Sequence, residues 1–117
     1  MKILVVEPYK EPEVRDIDGS LESMQQVVDG YIEAIYPFEE HVALVCNEEG
    51  KLMGLPMNRN LPEGSDIICG TFFICGAPPM EENFTSLTEE QIIRYTERFK
   101  SPEMFLQTEE GLLILSQ

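Results

Sequence analysis

Residues Asp66 to Gly76 carry Ile67, Ile68, Cys69, Phe72, Phe73, Ile74 and Cys75 around a single Gly70-Thr71 step. Side chains alternate between the two faces of a strand, and here both parities are apolar. A strand of this kind cannot border water on either side. It predicts the central strand of a sheet covered on both faces. Pro78-Pro79 ends it, because proline donates no ladder hydrogen bond.

The rest of the chain arranges itself around that strand. Lys2 to Glu7 is a β-branched run that predicts a strand, with a loop containing Pro8 and Pro12 after it and a short strand over Glu13 to Ile17. Asp18 or Ser20 caps a helix on which Leu21, Met24 and Val28 recur at helical spacing, and Gly30 is the expected stop. Tyr31 to Tyr36 alternates as a strand does. His41 to Cys46 and Lys51 to Leu55 read as the two arms of a hairpin turning at Asn47-Glu48-Glu49-Gly50, with Gly54 marking a bulge. Pro56 to Ser65, with Pro56, Pro62 and Gly64, reads as a loop.

A second helix is signalled by Ser86 or Thr88 followed at capping-box spacing by Glu89 or Gln91. Ile92, Ile93, Tyr95, Thr96 and Phe99 form its apolar face. Acids at its start and Arg98 and Lys100 at its end complement the helix dipole. After Gly111, Leu112 to Leu115 is a candidate edge strand. Strands grouped together with helices set apart mean α+β. The simplest arrangement is a mostly antiparallel sheet with two main helices on one face. Residues 1–100 are expected to form the single domain and 101–117 an extension.

Charge limits the partners. The 117 residues hold 22 acidic and 8 basic side chains, a net charge of −14. Such a chain repels phosphate backbones and anionic lipid, so neither direct nucleic-acid binding nor membrane binding is expected. The apolar stretch at the N-terminus ends at Glu7, too soon for a secretory leader, and no run is long enough to span a membrane. Cys46, Cys69 and Cys75 are odd in number and lie in apolar runs. Free thiols packed in the core of a cytoplasmic protein are the expectation.

Catalytic chemistry finds little support. His41 is the only histidine, and five residues from Cys46 on a strand it faces the opposite way. Cys69 and Cys75, read on one strand, lie roughly 20 Å apart. Gly70-Thr71 lacks the lysine and the strand–loop–helix setting of a phosphate loop. Of five adjacent acidic pairs, such as Glu48-Glu49 and Glu109-Glu110, most fall in turns and helix starts, where solvated charge is the default. No metal ligand set and no cofactor site is expected. The polar stretch that stands out is Asn58-Arg59-Asn60, a cation flanked by amides in a chain with few cations. Arg59 has the geometry to hold a carboxylate or phosphate in two parallel hydrogen bonds. It could equally pair with a nearby acid of its own chain while the asparagines make turns.

The stretches Gly30 to Ile35, Asn47 to Leu52, Leu55 to Arg59 and Asp66 to Ile74, with the helix from Leu87 to Phe99, resemble the family called domain of unknown function 3846 over residues 1–100. The resemblance implies a small cytoplasmic accessory protein of bacteria and their mobile elements, and it assigns no catalytic residue. The leading expectation is a non-catalytic protein-interaction module with a protein partner, a homodimer included. One alternative is a DNA mimic that blocks a DNA-binding enzyme, which needs the acids gathered on one face. The other is a small enzyme using carboxylates or an oxygen-bound divalent metal.

Overall fold

A computed structural model describes residues 1–61 and 64–117. Of the loop expected over Pro56 to Ser65, Pro62 and Glu63 lie outside the described residues, and Met57–Asn60 form a strand instead. Strands β1 (Lys2–Val6), β2 (Glu13–Asp16), β3 (Ile32–Ile35), β4 (Val42–Asn47) and β7 (Phe72–Gly76) form one sheet in the order β2-β1-β7-β4-β3. Every neighbouring pair in it is antiparallel. Strands β5 (Met57–Asn60) and β6 (Ile67–Cys69) make a second, two-stranded sheet. Strands β8 (Glu103–Thr108) and β9 (Gly111–Ser116) make a third. Helix α1 spans Leu21–Val28 and helix α2 Glu89–Phe99.

The apolar parity of the strands decides the layering. Leu4, Leu44 and Ile74 are in register and point to one face, together with Val6, Val42 and Phe72. Tyr95 and Phe99 of α2 cover them, with Leu61 and Ile68 from the β5–β6 region. Val5, Val45 and Phe73 are in register on the opposite face, with Ile3, Ala43 and Cys75, and Met24 and Val28 of α1 cover those. The chain is α+β with a mostly antiparallel sheet, as expected. The two helices, however, divide between the faces instead of sharing one. A sheet whose central strands are apolar on both sides has to be covered on both. The link from edge strand β2 to edge strand β3 lays α1 across one face, which leaves the other to α2.

The apolar segment of residues 66–76 is two strands, not one. At Gly70 the backbone turns to φ +84°, and an added Cβ would lie 2.7 Å from Leu55 Cδ1. The chain thereby leaves the small sheet at Cys69 and enters the large one at Phe72. The expected hairpin between 41–46 and 51–55 does not form. Residues 48–54 wind through consecutive turns, closed by Met53 N donating to Glu49 O at 2.8 Å and Leu55 N to Gly50 O at 3.0 Å. Gly54, with φ +70°, belongs to these turns and not to a strand bulge. Strand β4 pairs instead with β3 and β7, which outcompete the local partner because they bury β4 completely.

Buried side chains finish both helices. Ser20 caps the start of α1, and Thr88 and Gln91 form the capping box of α2. At the end of α1, Asp29 and not Gly30 takes the left-handed conformation, at φ 57°. Asn47 Nδ2 donates to the carbonyls of Val28 and Asp29, each at 3.2 Å. Gly30 is needed there because a Cβ would meet Asn47 Nδ2 at 2.6 Å. Helix α2 ends without a left-handed residue, since Lys100 stays right-handed. The carbonyl of Phe99, its last residue, is met by Arg59.

Candidate functional site

Asn58, Arg59 and Asn60 lie on strand β5 and not in a loop, and Asn58 and Arg59 are fully buried. All five guanidinium N–H groups have protein acceptors. Arg59 Nε and Nη2 both donate to the carbonyl of Phe99, at 3.2 and 3.0 Å. Nη1 donates to Asn58 Oδ1 at 2.8 Å and Asn58 O at 3.2 Å, and Nη2 donates to Lys10 O at 2.6 Å. The cation therefore sits on the negative end of α2. Burial holds its pKa below the ordinary arginine value, with Glu103 acting in the opposite sense. Among the described residues no carboxylate pairs with it directly.

Asn58 Nδ2 donates to Val6 O at 2.8 Å and Gly70 O at 2.9 Å, fastening β5 to the end of β1 and to the turn between the sheets. Asn60 turns the other way. Its backbone N–H donates to Glu103 Oε1 at 3.1 Å, and its Nδ2 donates to the same oxygen. The trio is thus one polar junction, fully supplied with partners from within the chain. It joins β1, the β1–β2 loop, α2 and the base of β8. The sequence shows the cation and its amides but not their distant acceptors, the carbonyls of Val6, Lys10, Gly70 and Phe99 and the carboxylate of Glu103.

A cleft of about 340 Å³ opens between β4, the 48–54 turns and β6, lined among others by Glu33, Cys46, Lys51, Asp66 and Cys69. With Glu48 it gathers two thiols, an amine and three carboxylates, the groups that nucleophilic or acid–base chemistry uses. Burial, and then Glu33, pushes the Cys46 thiol up to about 11, and burial raises Cys69 as well. Thiolate is the attacking form, so both are in the inert state at neutral pH. Lys51 Nζ pairs with Asp66 Oδ1, which raises the amine's pKa and lowers the carboxyl's. The amine is therefore charged and not nucleophilic. Among the described residues, no group of three or more His, Cys, Asp and Glu side chains is placed to hold a metal ion.

The cysteines do not behave alike. Cys46 and Cys75 are buried and Cys69 is only partly so; all three are free. The interruption at Gly70 puts Cys69 and Cys75 on different strands in different sheets. His41 is exposed just before β4.

The hairpin of β8 and β9 exposes a row of aliphatic side chains. The candidate edge strand 112–115 has its own partner here, and the pair extends neither of the other sheets. Register runs without a break from Glu103↔Ser116 to Thr108↔Gly111, so Glu109 and Glu110 form a two-residue tip. Directly opposed residues share a face. Met104 with Leu115, and Leu106 with Leu113, therefore point the same way. They are 40, 42, 43 and 47 % exposed, respectively. Phe105 and Ile114 take the other face and are half-buried, beside buried Glu103 at the base. Residues 104–108 and 111–116 carry no charged side chain. The run of four aliphatic residues after Gly111 is visible in the sequence. The pairing that sets two of them beside Met104 and Leu106 on one face is not.

The model of the family "Domain of unknown function (DUF3846)" matches residues 1–100, so the hairpin lies beyond the matched region. Comparison with curated proteins gives no match, and no solved structure matches the chain. With the family model spanning the large sheet, both helices and the Asn58–Asn60 junction, the chain belongs to the domain of unknown function 3846 family.

Proposed function

We propose that the protein is a non-catalytic interaction module and that the β8–β9 hairpin is its docking element. The observation that carries this reading is the row of Met104, Leu106, Leu113 and Leu115, four large aliphatic side chains side by side in water on one face of a hairpin. Contiguous apolar surface of this kind marks contact sites more often than chance exposure does. The base of the hairpin is held by Asn60 and Glu103, so the face is presented by a fixed element. The cleft beside Cys46 supplies no activated nucleophile that would favour an enzyme.

The acids support solubility more than imitation of DNA. Among them, Glu22 begins α1 and Glu89 and Glu90 begin α2, and these helices cover opposite faces of the large sheet. Three free thiols support a reducing compartment. No described helix is long and apolar enough to cross a membrane.

The test compares wild type with a Leu106→Glu/Leu113→Glu variant as bait in host extract washed at high salt. The expected result is a protein retained by wild type and absent from the variant. Equal retention by both, or retention by neither, refutes the docking role.

A further inference from the structure

We infer that the cleft between residues 37–40 and helix α2 binds a small monocarboxylate carrying an aromatic ring, with Arg98 holding the carboxylate and Phe38 receiving the ring. The site shares no residue with the hairpin and does not depend on the docking role proposed above. The cleft measures about 590 Å³ and is lined by Phe38, Glu39, Glu40, Arg94, Tyr95 and Arg98, among others. That volume suits a small ligand. Arg98 is the group that points to an anion. Four arginines stand among 22 acids in this chain. Arg15 pairs with Glu7 and Glu13, Arg94 pairs with Glu40, and Arg59 is taken up by carbonyls and Asn58. Arg98 has no carboxylate partner among the described residues. Its Nη2 makes one long contact, donating to Asn60 O at 3.5 Å, and its guanidinium lies 5.0 Å from the centre of the Phe99 ring. Stacking on that ring restrains the group while its other donors face water. A carboxylate accepts two parallel hydrogen bonds from such a fork. Arg98 thus has the capacity expected of Arg59, on a side chain that a ligand can reach.

The aromatic wall selects the rest of the ligand. Phe38 is half-buried, with its ring centroid 4.8 Å from that of Tyr95 and 6.1 Å from that of Phe99. Its remaining surface offers a flat ring an offset or edge contact. Tyr95 Oη donates to Glu40 Oε2 at 2.7 Å, and Arg94 pairs with the same oxygen. Glu40 is thereby already supplied with donors, first Arg94 and then Tyr95, which hold its carboxyl below the ordinary value. It does not compete for Arg98. Glu39, which also lines the cleft, is exposed, and the whole chain carries a net charge of −14. Both limit the charge of the ligand. Arg98 offsets one negative charge, whereas the second charge of a phosphate monoester meets repulsion.

Titration of the isotopically labelled whole chain with phenylacetate, read by NMR at backbone amides and arginine Nε–H groups, tests this. The expected result is saturable shifts at residues 37–40 and 94–98 with a Kd of about 1 mM. Phenylacetamide lacks the charge, acetate lacks the ring and phenyl phosphate adds a second charge; each should bind about tenfold more weakly. Arg98→Gln should weaken phenylacetate about tenfold. Lys100→Gln removes an exposed cation that does not line the cleft and should leave binding unchanged. Phe38→Leu keeps an apolar side chain, removes the ring, and should weaken phenylacetate several-fold. Circular dichroism checks that each variant folds. Should Arg98→Gln fail to fold, Arg98→Lys keeps the charge without the fork and is expected to lose part of the affinity. The absence of saturable shifts with phenylacetate overturns the inference. So does unchanged binding by the Arg98 variant, or an equal loss in Lys100→Gln, which would mean that long-range charge alone is read. Acetate or phenyl phosphate binding as well as phenylacetate overturns the assignment of an aromatic monocarboxylate.

Discussion

Replacing Arg59 with methionine keeps a long apolar stem and removes the guanidinium. Four acceptors lose their donors at once: the carbonyls of Phe99, Lys10 and Asn58, and Asn58 Oδ1. A buried polar group left unpaired costs about 1–3 kcal/mol. The full sum is not reached, because removing a buried cation also removes its desolvation penalty and the carbonyls can relax toward water. Four neutral acceptors left unpaired, with that relief, cost about 3–5 kcal/mol together. For a domain whose total stability is about 5–15 kcal/mol, that is a large fraction. It corresponds to a fall in Tm of about 15 °C at roughly 4 °C per kcal/mol. Arg59→Lys should fall between, since an ammonium keeps the charge but lacks the fork that reaches Phe99 twice. Urea unfolding followed by circular dichroism measures both variants. A loss under about 1 kcal/mol for Arg59→Met would refute the reasoning, and would return Arg59 to the position of a ligand-binding cation.

The thiols and the acid limb give two further tests. Under native conditions a maleimide should label Cys69 first, followed by mass spectrometry, while Cys46 and Cys75, held by burial at about 11 and about 12, should label only on unfolding; equal labelling of all three contradicts the burial assigned to them. Asp18, whose carboxyl is lowered from 3.8 to about 2 chiefly by hydrogen bonds from Ser20, contributes stability that is complete above its ordinary value and is lost as pH falls through its folded one. Asp18→Asn should therefore be less stable than wild type at neutral pH, with the gap closing between pH 3.8 and about 2; a gap that stays constant across that range would mean the charge is not what stabilises the α1 start.

Local chemistry was legible in the sequence wherever it acts over a few residues. The strands at 2–6, 13–16, 32–35 and 42–47 and both helices follow from alternation, helical spacing and capping residues and stand where those signals put them, while the structure selects Ser20 and Thr88 from the two cap candidates at each helix start. Tertiary structure alone decided what depends on groups far apart in the chain. Strand β4 left its expected neighbour for β3 and β7, because complete burial outweighs a favourable local turn. The 66–76 segment broke at Gly70, because two sheets compete for its halves. Asn58 and Arg59 turned inward because, besides Asn58 itself, their acceptors are the carbonyls of Lys10, Val6, Gly70 and Phe99, and Asn60 reaches the carboxylate of Glu103, none of them near in sequence. The apolar face of the hairpin arises from cross-strand register, which joins Leu106 to Leu113 and Met104 to Leu115 only once the chain has folded back on itself.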